Sequence, residues 1–128
     1  MKPELMWLLW AVALTVVQML IAVTGATLQV GLPKLAGNRE GMPPLTGWVG
    51  RAERAHYNML ESLVLFAALV LILVLANKTN STALIGAQLF VWARLAYAVI
   101  YLAGIPWLRT LVWFVSMIGL VLIFCQLV

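Results

Sequence analysis

Arg51, Arg54, Asn58 and Glu61 recur at helical spacing. At about 100° per residue they project within an arc of about 80° on one helix face. Arg94, Tyr97 and Tyr101 do the same on a second helix, within about 60°, and Arg109 stands in the first turn of a third. Guanidiniums bind carboxylates through paired N–H donors, a glutamate binds an ammonium, and phenols and an amide add hydrogen bonds. Together they suit recognition of an anionic ligand and activation of a thiol or hydroxyl. A blander role exists for the same groups as topology anchors and interhelical ties, with Arg54–Glu61 or Arg94–Glu61 pairs. Convergence of so many polar groups from three helices favours a site.

Two other reactive side chains stand apart. His56 lies about 160° around its helix from Arg54 and is expected to face the interface or another helix. Cys125 is about 24 Å along the last helix from Arg109, so any thiol chemistry at the cluster needs a thiol brought by a cosubstrate. As the single cysteine it also excludes an internal disulfide. No metal is expected.

The elements that position these groups follow from composition. Of 128 residues, 65% are hydrophobic and 9% charged, against roughly 45–50% and 25% for soluble domains. That excludes a soluble enzyme. The apolar residues fall in four long runs, so the expected fold is an all-α integral membrane protein, a single domain built as a four-transmembrane-helix bundle. Helices are expected at about 5–32, 51–76, 82–103 and 107–127. The first run is too long for a cleaved signal peptide and is read as a retained helix. Residues 33–50, rich in Gly and Pro, form the one substantial loop.

Charge sets the expected orientation. Lys34, Arg39, Arg51, Arg54 and Arg109 lie at one end of the bundle, against Lys2 and Lys78 at the other, so the first end is expected to be cytoplasmic and the termini non-cytoplasmic. The formal net charge of +4 does not imply nucleic-acid binding, because there is no basic tail or basic amphipathic helix. Asn77-Lys78-Thr79 and Asn80-Ser81-Thr82 match the glycosylation sequon, but Asn, Ser and Thr are ordinary turn residues and are read as such.

Residues 51–61, reading RAERAHYNMLE, are followed by an apolar helix and then by Ala93-Arg94-Leu-Ala-Tyr97-Ala-Val-Ile-Tyr101. This stretch closely resembles the membrane-associated proteins in eicosanoid and glutathione metabolism (MAPEG), in particular their short bacterial members. The resemblance implies a homotrimer of four-helix subunits in a bacterial inner membrane, with glutathione as cosubstrate between neighbouring subunits near the cytoplasmic face. It assigns Arg54, Asn58 and Glu61 to the glutathione pocket, Glu61 on the γ-glutamyl ammonium, and Arg94, Tyr97 and Tyr101 to its completion. Arg51 joins them as a cofactor-binding candidate by its place in the stripe. Arg109 resembles the arginine that stabilises the glutathione thiolate, since a nearby guanidinium lowers a thiol pKa and raises its nucleophilic fraction. Thr110 stands where the prostaglandin enzyme has a serine, Tyr57 where it has an arginine, and Trp113 where it has a tyrosine.

The expected function is thus a membrane-bound glutathione-dependent transferase or peroxidase acting on a lipophilic small molecule delivered among membrane lipids. An alternative is a non-catalytic protein of the same fold that binds a lipid or a protein partner. A small four-helix multidrug transporter is disfavoured, because those proteins resemble one another in an embedded carboxylate within the first helix, and residues 5–32 contain none.

Overall fold

The computed structural model describes residues 1–128. Its elements in chain order are α1 (Pro3–Val30), a short α2 (Leu32–Ala36), α3 (Gly47–Leu75), α4 (Ser81–Ala103) and α5 (Pro106–Leu127). All but α2 are long and apolar enough to cross a membrane. At 1.5 Å per residue, α3 is about 44 Å long against a hydrocarbon core of about 30 Å, so part of it stands in the interfacial zone. Leu9, Val64, Leu71, Trp92, Val99 and Phe114 are among many large apolar side chains on the outside. In water such a surface would aggregate, whereas lipid tails solvate it.

Two boundaries differ from the sequence expectation. α1 ends at Val30 and a separate short helix begins at Leu32, because Gly31 takes φ 88° and breaks the axis. α3 begins at Gly47 rather than near Arg51. The Gly-rich GWVG stretch is helical because tertiary contacts hold it. The Gln29 side-chain amide donates to the Thr46 carbonyl at 3.1 Å and accepts from the Thr46 N–H at 2.8 Å, tying the end of α1 to the entry of α3. Trp48 and Val49 then press on Gly25, where an added Cβ would come within 2.9 Å of both.

Below this end the core is apolar. Phe66 of α3 stacks on Phe90 of α4 with ring centroids 4.1 Å apart, among Met59, Val70, Leu73 and Ile123. α4 and α5 form the most extensive helix pair, and Gly86 and Gly119 let their backbones meet. A Cβ on Gly119 would lie 2.6 Å from the Gly86 carbonyl and 2.9 Å from the Phe90 nitrogen. Backbone cannot yield as a side chain does, so Gly119→Val is expected to destabilise the subunit by about 2 kcal/mol or more. Thermal unfolding in detergent checks this, and an unchanged midpoint would contradict the close approach.

Polar ties close the opposite end. Lys78 Nζ donates to the Leu127 carbonyl at 3.1 Å, and Asn80 Nδ2 to Gln126 Oε1 at 2.9 Å, joining the α3–α4 turn to the C-terminus. Asn80 Oδ1 also accepts from the Ala83 N–H at 2.8 Å, an N-cap on α4, and Asn77 takes φ 56°. Both asparagines serve the turn, as residues with short polar side chains commonly do.

Candidate functional site

The α2 end of the bundle carries the polar groups. α3 and α4 run antiparallel, so the level of Arg54 on α3 matches that of Tyr101 near the end of α4, and Asn58 matches Arg94 one turn deeper. α5 starts beside them, because Gly104 with φ 81° ends α4 and Pro106 starts the next helix within three residues. That tight turn brings Arg109 back over Tyr101.

Between the three helices is a cleft of about 300 Å³. Arg54 and Asn58 reach it from α3, Tyr97 and Tyr101 from α4, and Arg109, Thr110 and Trp113 from α5. Tyr101 is the joint between the arginines. Arg54 Nε donates to its Oη at 3.1 Å, and the Arg109 guanidinium lies 4.4 Å from its ring centroid. Tyr97 meets Tyr101 edge-on at 5.6 Å, with Ala55, Val112 and Trp113 packed around them. Cation–aromatic contact of this kind is worth about 0.5–2 kcal/mol depending on desolvation, enough to hold a long side chain over one spot.

The structure thus brings together Arg54, Asn58, Tyr97, Tyr101 and Arg109, and sets three other candidates apart. Arg51 turns away: its Nε donates to the Leu102 carbonyl at 3.1 Å, beside Gly104. A cation at a helix C-terminus satisfies an orphan carbonyl and the negative end of the dipole, so Arg51 anchors α4 in place. Arg94 is enclosed behind the cleft wall, its guanidinium 4.2 Å from the Tyr97 ring centroid and its Nη2 donating to Asn58 Oδ1 at 2.8 Å. Glu61 is exposed on the flank of α3, about one turn beyond Asn58.

Thr110 and Trp113 enter the cleft wall without having been counted as candidate ligands. Helical phase was the available signal, because Trp113 is four residues after Arg109 and so shares its face. Thr110 Oγ1 donates to the Pro106 carbonyl at 3.3 Å, which leaves its lone pairs to accept.

His56 occupies the other face of α3. It is buried against α1, its Nδ1 has no hydrogen-bond partner, and it lines a second, mostly apolar cavity of about 330 Å³ with Arg39, Glu53 and Tyr57. The larger cavity is not the better match to the predicted chemistry, since the phased arginines and tyrosines converge on the other. Cys125 is exposed on the last turn of α5, far from both.

Comparison with known proteins identifies the family of the chain. Microsomal glutathione S-transferase 1 of Rattus norvegicus is 41% identical over 58 residues, 45% of this chain and 37% of the relative. The chain thus matches a little over a third of that protein's length. No solved structure matches. The MAPEG family model matches residues 5–128, a span that takes in all four long helices and every residue of the cleft, and the chain belongs to the MAPEG family.

Proposed function

We propose that the protein is a membrane-bound, glutathione-dependent transferase or peroxidase. The carrying observation is the hydrogen-bond polarity of the cleft. Arg54, Arg109 and the Trp113 indole have only N–H donors to offer. Asn58 has its oxygen occupied by Arg94 and Tyr101 has its oxygen occupied by Arg54, so each is left to donate. This excess of donors with two guanidiniums, beside the hydroxyls of Tyr97 and Thr110, fits a ligand rich in carboxylates and carbonyls that also develops charge on sulfur.

When bound, glutathione supplies the nucleophilic sulfur for conjugating a lipophilic electrophile or reducing a peroxide. The chain's residues do the rest. Arg54 and Asn58 hold the acceptor groups of the tripeptide, Tyr101 donates its hydroxyl and keeps the two arginines in register, and Arg109 places positive charge where the thiolate forms. Charge aimed in advance at a developing anion is the largest single contribution in many enzymes. The lipophilic second substrate arrives laterally from the bilayer, which the α5 face with Phe114 and Leu111 exposed leaves open.

The subunit is proposed to work as a homotrimer, with glutathione between neighbours and the site near the cytoplasmic face. Glu61 supports this. It stands about 21 Å along α3 from Gly47 and is exposed, and a carboxylate at that depth facing acyl chains is costly. A protein neighbour removes the cost, and a ligand ammonium at the join would use the charge.

Glutathione titrated into the purified protein is expected to give saturable heat and an absorbance rise near 240 nm from thiolate. Absence of both at millimolar glutathione would overturn the reading.

A further inference from the structure

Arg94 is the largest fully enclosed side chain of the subunit, 1% exposed. Its three nitrogens find one hydrogen-bond partner between them: Nη2 donates to Asn58 Oδ1, while Nε and Nη1 have none. A buried, incompletely satisfied cation in a membrane-spanning helix works against stability, and an apolar residue of the same volume would pack there at less cost. The Tyr97 ring over the guanidinium offsets part of this. What remains is one directional effect, exerted on one side chain of the cleft.

We propose that Arg94 is a positioning residue that holds the Asn58 carboxamide in a single orientation and makes Asn58 an obligate donor toward an anionic ligand. The inference rests on the reading of the cleft as a glutathione site. Because a guanidinium has no acceptor, the Asn58 atom 2.8 Å from Nη2 has to be the carbonyl oxygen. The amide nitrogen then keeps both hydrogens for the cleft that Asn58 lines. A free carboxamide can turn by 180° and present its oxygen to a carboxylate, which repels it. Arg94 removes that alternative, and the Tyr97 stack keeps Arg94 from following the ligand. Arg94 therefore acts through Asn58 and does not touch glutathione.

A double-mutant cycle on glutathione affinity separates this from direct contact. Arg94→Met and Asn58→Ala are each expected to weaken the Kd about tenfold, the scale of one hydrogen bond to a charged group. The double variant is expected to be no weaker than Asn58→Ala, and Arg94→Gln, which can still donate to Asn58, to recover most of the loss. In turnover the change is expected in KM for glutathione with kcat held, because Arg109 is untouched. A double variant weaker by the product of the two single effects overturns the proposal.

A second arm needs no ligand. Asn58→Asp is expected to raise the unfolding midpoint by a few degrees in the wild-type background, through an ion pair with Arg94, and to lower it in the Arg94→Met background. Equal shifts in both backgrounds overturn the coupling. If the wild type binds no glutathione, the functional reading fails while this arm still decides whether Arg94 holds Asn58.

Discussion

Arg109→Ala is expected to abolish the thiolate absorbance of the glutathione complex and to lower kcat by about 10²-fold or more, the usual consequence of removing one preorganised charge from a reacting centre. The expectation comes from where Arg109 is held. Its guanidinium lies on the Tyr101 ring, on the cleft side, with no acceptor of the protein taking up its N–H groups. Alanine removes charge from that spot and leaves α5 intact, since Arg109 is half-buried and caps nothing. Glutathione affinity at a pH below the thiol pKa should change far less than kcat, because the protonated thiol has little use for the guanidinium. Arg109→Lys tests the geometry, since an ammonium on a flexible stem keeps the charge without the planar stack. A variant lacking Arg109 that still shows full thiolate absorbance would assign the thiolate to another residue.

Tyr101 yields the second large effect, and two substitutions there should separate its two functions. Tyr101→Phe keeps the ring beneath Arg109 and removes the oxygen that Arg54 grips. It is expected to raise the KM for glutathione about tenfold while kcat changes little. Tyr101→Leu removes the platform as well, so Arg109 is no longer held over the cleft, and kcat should fall at least tenfold in addition. Steady-state kinetics with glutathione varied at a fixed hydrophobic electrophile reads both parameters. Equal behaviour of Phe and Leu would mean that the ring does not position Arg109.

Much of this site is visible in the chain as written. The stripes Arg51–Arg54–Asn58–Glu61 and Arg94–Tyr97–Tyr101 are phased because a helix repeats every 3.6 residues, and the phase survives whatever the helices pack against. Helical phase tells direction around one axis only. It cannot say how two helices are rotated against each other or how far apart they lie. Arg51 and Arg54 share a stripe, yet Arg51 caps α4 at Leu102 and Arg54 grips Tyr101. Arg94 and Tyr101 share another, yet one is sealed behind the wall and the other forms it. The entry of α3 was hidden for a related reason. Gly and Pro read as loop by local preference, and long-range contacts from Gln29 and Gly25 override that preference at Gly47–Gly50.

A charged fraction of 9% and four apolar runs determined by themselves that the chain lives in a bilayer as four helices, because lipid cannot solvate unpaired backbone and water cannot solvate so much apolar surface. The residue types of the stripes likewise carry the proposal of an anionic ligand, since guanidiniums can only donate and phenols and an amide can do so. Only the tertiary structure decided which of those groups face one cleft and which support it. That choice depends on the approach of α4 to α5 at Gly86 and Gly119, on the antiparallel level of α3 against α4, and on the two-residue turn that returns Arg109 over Tyr101. These are contacts between residues distant in the chain, and the energy that selects them comes from packing shape, which no local pattern of residues carries.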